Sequence, residues 1–243
     1  MAYELHHWPT LQGHGEFVRL ALEAAGAPYI DVARGSELSG QGVPAMMRLL
    51  QDRKAVLPPF APPFLKDGDL VIGQSAAILH HLAPQLKLVA RSEQSRVWTQ
   101  QIQLTIADVA AEAHDTHHPG GDHLSREEHP PEALRRAQAF CSERLPRYLK
   151  WFEHIVTHNP AGSRHLVAGK LSYADLSLFQ LIEGLKYTFP KATASVLART
   201  PAIVQLHDRV ATLPRVAAYL RSERRLPFSE QGAFRCHPEL DVQ

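Results

Sequence analysis

The chain is poor in cysteine: Cys141 and Cys236 are the only two in 243 residues. They lie far apart and form no CxxC pair, so a reduced, cytoplasmic protein is expected. Net charge is also scarce, with 26 Lys and Arg against 25 Asp and Glu, or +1 at pH 7. No basic stripe marks a nucleic-acid binder. No apolar run approaches the ~18 residues that cross a bilayer. The opening Met1-Ala2-Tyr3-Glu4-Leu5-His6-His7 has no basic stretch leading into an apolar one, so neither a membrane segment nor a signal peptide is expected. Internal repeats and low-complexity tracts are absent as well. What the chain does have is hydrophobic residues, 44% of the total, and 15 histidines. That apolar content suffices for one large domain or two modest ones.

Two patterns divide the sequence. Tyr3–His7 reads as a strand, residues 17–25 repeat at helical spacing up to a Gly26 stop, and Tyr29–Val32 reads as a second strand. The segment 33–60 is irregular, with a helix expected over Pro44–Lys54. Phe64–Lys66 and Leu70–Ile72 flank Asp67-Gly68-Asp69 as a hairpin, and Ser75–Leu82 reads as a helix stopped by Pro84. This β-α-β-α-β-β-α order implies a small mixed sheet with helices on its faces. After Pro84 strand-like alternation disappears, and helical periodicity covers roughly 92–118, 132–158, 172–187 and 201–222. A domain of residues 1–83 followed by an all-helical one of 92–243 is therefore expected. Thr116–Pro131, rich in His, Pro, Gly and acids, reads as a loop between helices.

The most informative stretch runs from Pro62-Pro63 through the hairpin to Gly73-Gln74-Ser75-Ala76-Ala77-Ile78-Leu79. Proline before a hairpin suits a strand edge or a cis bond. Gln-Ser at a helix start suits either an ordinary N-cap or a carboxylate held by free N–H groups. Pro-x-Leu-x-Asp-Gly followed by Gln-Ser-x-Ala-Ile-Leu resembles the glutathione site of cytosolic glutathione transferases, nearest to the Tyr-type classes such as pi and sigma. The resemblance extends to Gly13 and Glu16-Phe17-Val18-Arg19, and to Ser172-Tyr173-Ala174-Asp175. In the latter, Ser172 and Asp175 read as a capping box, with Leu171 and Leu176 as a hydrophobic staple.

The resemblance implies a thioredoxin-like N-terminal domain, a helical-bundle C-terminal domain, and glutathione as cosubstrate. Pro63 would be the cis-proline, and Gln74 with Ser75 would hold the γ-glutamyl group. Lys54, or alternatively Arg48, would bind the glycyl carboxylate, and the Pro62 carbonyl would pair with the cysteinyl backbone. Asp108 would reach the γ-glutamyl ammonium of a partner in a homodimer, a contact supported by the apolar face Ile102, Ile106 and Val109; a solvated helix carboxylate is the alternative. Lys54 has the same solvated alternative.

Three departures bear on chemistry. The pair that would carry the thiol-activating tyrosine is His7-Trp8, the arginine of the next motif is His14, and Pro62 has no N–H to offer. Thiol activation then falls to the helix start near Gly15 and to an imidazole, His7 or His14. Strand-end packing for His7 and plain solvent exposure for His14 are the competing readings. His114, His117, His118, His123 and His129, with Asp115 and Asp122, invite a metal reading, but without HExxH a solvated loop is the better one and no metal is expected. Cys141 reads as a buried helix residue and Cys236 as an exposed tail residue. The function expected is transfer of the glutathione thiolate to a small hydrophobic electrophile, lodged between the loop after the first strand and helices at roughly 100–118. The alternative is a glutathione-binding or ligand-carrying protein with little turnover.

Overall fold

The computed structural model describes residues 2–118 and 130–241. Its first part is a four-stranded sheet of order β2-β1-β3-β4, with β1 Tyr3–His6, β2 Tyr29–Asp31, β3 Phe64–Asp67 and β4 Leu70–Gly73. β1 and β2 are parallel, and the other pairs are antiparallel. Strand alternation sends Leu5 and Leu65 to one face, where Val18 and Leu22 of α1 (Gly15–Ala25) meet Ile78 and Leu82 of α3 (Ser75–Gln85). Phe64 points to the other face and packs with Met46 of α2 (Gly42–Leu50). α1 ends on Gly26, whose φ of 67° only glycine adopts without strain. This is a thioredoxin-like domain followed by a helical one.

The helical part comprises α4 Glu93–Asp115, α5 Pro130–Ala139, α6 Leu145–Thr157, α7 Tyr173–Thr188, α8 Pro190–Leu197, α9 Pro201–Thr212 and α10 Pro214–Leu220. α7 is buried on every side from Tyr173 to Ile182, so it forms the axis of the bundle. One continuous core joins both parts, running from Phe17, Leu20 and Ala21 of α1 through α4 to α7 and α9. The capping box is present: Asp175 Oδ2 accepts from Ser172 N (2.7 Å) and Ser172 Oγ (2.6 Å), and Oδ1 accepts from Leu166 N (2.8 Å).

Several expected boundaries move. The helix over 44–54 is shorter and starts earlier, and 132–158 carries a π-helical turn at Phe140–Arg144 between α5 and α6. The span 201–222 breaks before Pro214, because a residue preceding proline is pushed to extended ψ, here 129° at Leu213. Pro84 lies in the last turn of α3 and does not end it at Leu82. α8 had no counterpart in the sequence reading; its proline supplies the N1 position. No described helix is long and apolar enough to cross a membrane.

Candidate functional site

The register gathers the predicted residues at one end of the sheet. His6 pairs with Phe64, and Phe64 with Gly73. One step further along, His7, Pro63 and Gln74 therefore stand abreast. The Pro62–Pro63 bond is cis, as the motif implied. Gln74 is exposed at φ 64°, ψ 118°, a conformation an L-residue adopts at a cost of about 1–3 kcal/mol.

Two helices begin at this edge. In α3 the first helical bond runs from Ile78 N to Gln74 O (3.0 Å), leaving the amides of Ser75, Ala76 and Ala77 outside the ladder. In α1 the first runs from Glu16 N to Gln12 O (3.1 Å), leaving those of Gly13, His14 and Gly15. The half-buried Ser75 joins the two ends, its Oγ donating to His14 O at 3.0 Å. Two positive helix ends side by side favour an anion.

The imidazoles play unlike parts. His7 is 4% exposed, wedged beneath the loop. A Cβ on Gly15 would fall 2.6 Å from its Cγ, and one on Gly13 3.3 Å from its Cε1. Burial, then the Arg19 charge, pushes its pKa down to about 3. His7 is thus neutral at physiological pH. His14 is half-buried and stacks near Phe17, with ring centroids 6.3 Å apart. Its pKa is lowered too, by burial first and then by His114 on α4. Both histidines are therefore suited to donating or accepting a hydrogen bond and poorly suited to carrying charge.

The remaining predicted residues are spread more widely. Arg48 is exposed, bonds Gly40 O (3.4 Å), and lines a cavity of about 500 Å³ with Glu4, His6 and Asp52. Lys54 is exposed, its amide held by Asp52 Oδ1 (2.9 Å). Pro62 is half-buried and Asp108 exposed. Ile102, Ile106 and Val109 are each 0% exposed and belong to the chain's own core, so they cannot form a dimer face as expected. The solvated-loop reading of the histidines also fails in part. His114 lies within α4, stacked on His118 (4.5 Å), and His117 and His118 are buried, His117 against Phe189 (5.8 Å). Asp122, His123 and His129 lie outside the described residues. Among the described residues, no three His, Cys, Asp or Glu side chains converge to hold a metal. Cys141 is buried and Cys236 half-buried.

Comparison with known proteins agrees with this fold. The glutathione S-transferase C-terminal domain family matches residues 114–223. A glutathione S-transferase of Plasmodium falciparum is 24% identical over 88% of this chain and 92% of its own length. Glutathione S-transferase P of Bos taurus is 26% identical over 90% and 92%. The pi-class glutathione S-transferase of Onchocerca volvulus superposes with a TM-score of 0.69, covering 94% of this chain and 98% of that one at 22% identity. Prostaglandin synthase D of Nilaparvata lugens gives 0.68 over 92% and 98% at 19% identity, a likeness of fold. The chain is thus similar to cytosolic glutathione transferases over most of its length.

The paired helix ends suit a carboxylate. The chain also contains a polar network that sequence reading missed. Glu16 and Arg19 are 0% exposed inside α1. Arg19 Nε donates to Asp31 Oδ2 (2.7 Å), Tyr219 to Glu16 Oε1 (2.8 Å), and Arg225 Nη1 to the same oxygen. Arg225 Nη2 reaches Gln180 Oε1 (3.1 Å), whose Nε2 donates to Gln12 Oε1 (2.8 Å). A signal existed. Glu16 and Arg19 sit on a helix otherwise apolar on that face, and Gln180 sits within the apolar run of α7. Charges there require partners.

Proposed function

We propose that the protein is a cytoplasmic, homodimeric transferase that joins the thiolate of reduced glutathione to a small hydrophobic electrophile. The observation that carries this reading is the meeting of the α1 and α3 N-termini at Ser75 and His14, beside the cis Pro62–Pro63 bond. Residues 1–83 would hold glutathione: Gln74, Ser75 and the α3 amides take the γ-glutamyl group, the Pro62 carbonyl takes the cysteinyl N–H, and Lys54 or Arg48 takes the glycyl carboxylate. Residues 92–243 would supply the electrophile's apolar surroundings. The sulfur sits against the opening turn of α1, where the His14 and Gly15 amides and a neutral His14 imidazole stabilise negative charge. The thiol proton leaves to solvent. The sulfur lone pair then forms the S–C bond as a leaving group departs, or as an activated double bond takes up a proton.

Asp108 would complete the partner's site. It stands on an outward stripe of α4 with Val97 (57% exposed) and Leu104 (50% exposed), surface that a second copy would cover. A carrier with little turnover is the second reading, favoured by the missing activating hydroxyl and by Pro62, which has no N–H to give. A glutathione-affinity column and a chromogenic electrophile separate the two. Retention with turnover supports the transferase, retention without turnover supports the carrier, and no retention refutes both. Sedimentation of a monomer at micromolar concentration would refute the shared site.

A further inference from the structure

The turn Gln12–Gly15 carries the atoms assigned to the thiol, yet its own chemistry favours mobility. Glycines flank His14 on both sides, and Gly13 has φ 41°. Glu16 N on Gln12 O (3.1 Å), the His7 ring beneath the glycines and Ser75 Oγ on His14 O (3.0 Å) hold its middle. Its two ends are fixed from far away in the chain. At its start, Gln12 Nε2 donates to Leu226 O (2.6 Å) and Gln12 Oε1 accepts from Gln180 (2.8 Å). At its end, Glu16 is held by Arg225 and Tyr219. Arg225 belongs to both clamps, because one arm of its guanidinium takes Glu16 and the other takes Gln180. Its side chain is 11% exposed, and Gln12, Glu16 and Gln180 are 4%, 0% and 0% exposed. A rigid guanidinium fork that bridges two acceptors at such burial is strong and directional.

We infer that Arg225 is a positioning residue, which sets the β1–α1 turn, and hence the His14 and Gly15 donors, at the distance the glutathione sulfur needs. It touches neither glutathione nor electrophile. This inference rests on the proposed transferase reading, and its consequence is specific. Loss of Arg225 should leave glutathione bound through α3 while its sulfur loses its donors.

The test uses the full-length protein with Arg225→Met, Arg225→Lys and, as control, Arg215→Met, which frees the opposite end of α1 by losing its bond to Ala25 O (2.6 Å). Arg225→Met should raise amide hydrogen exchange in residues 8–16 by about tenfold. It should raise the pKa of bound glutathione, read from thiolate absorbance, toward the free value. Turnover should fall by roughly ten- to a hundredfold, with KM for glutathione changed by less than about twofold. Arg225→Lys should recover part of the turnover through Glu16, and Arg215→Met should leave the thiol pKa as in the wild type. If Arg225→Met does not fold, Gln180→Met, which cuts the link to Gln12 and the Arg225 bond to Gln180 but leaves Arg225 on Glu16, takes its place with the same expectations in direction and smaller size. Unchanged exchange in 8–16, or a thiol pKa moved equally by Arg215→Met, overturns the inference. If the wild type fails to lower the thiol pKa, the transferase reading fails instead, and exchange in 8–16 still decides the positioning role.

Discussion

Replacing Gly15 with alanine sets two effects of opposite sign against each other. Alanine is the better helix former, worth up to about 1 kcal/mol over glycine and less at a first helical position. Against that, its Cβ would stand 2.6 Å from His7 Cγ and 2.8 Å from Nδ1. Carbon atoms rest comfortably at about 3.5–4.0 Å, so roughly 1 Å of overlap must be relieved. His7 is 4% exposed and has no room to swing aside. Overpacking of this kind costs about 1–3 kcal/mol, so steric overlap should win. Gly15→Ala should destabilise by about 1–2 kcal/mol in urea unfolding. The same change in a His7→Ala background should be neutral or stabilising, giving a coupling of about 1–3 kcal/mol. Equal stability of Gly15→Ala and wild type, or an identical cost in both backgrounds, would refute the wedge between ring and turn.

Three further outcomes are expected. Burial, with the positive groups around it, pushes the His117 pKa down to about 3 from an ordinary value near 6.5, so below 6.5 the unfolded chain binds a proton that the folded one refuses. Stability from this group is complete above pH 6.5 and declines as pH falls toward 3, by up to about 1.4 kcal/mol per unit; His117→Phe should flatten a plot of unfolding free energy against pH between 6.5 and 5, and an unchanged slope would count against it. Asp175→Ala strands the amides of Leu166 and Ser172 and the Ser172 hydroxyl, and should cost about 2–4 kcal/mol by chemical denaturation. If glutathione binds at the start of α3 as proposed, Ser75→Ala removes one of its hydrogen bonds, so KM for glutathione should rise about fivefold with turnover roughly intact; a collapse of turnover would instead mark the Ser75 bond to His14 O as the one that matters.

Local chemistry was legible from the sequence wherever neighbours along the chain settle it. Leu5, Val18 and Leu22 reveal their periods because strand and helix geometry alone bring them to one face. Gly26 ends α1 and Ser172 with Asp175 caps α7 through bonds to residues close by. The Pro62–Pro63 pair and Gln74-Ser75 were recognisable for the same reason, and the register then placed them side by side. Tertiary structure decided whatever depends on partners distant in sequence. It buried Ile102, Ile106 and Val109 in the chain's own core, put His117 against Phe189, and pressed His7 under Gly15 so that its imidazole is neutral. Helical spacing alone cannot say which of two apolar partners a face will meet. It also joined Gln12 to Gln180 and Leu226, and Glu16 to Arg225, residues more than half the chain away. A buried charge reports from sequence only that it needs a partner, and only the packed chain supplies which one, because desolvation is cancelled by groups within hydrogen-bond reach in space.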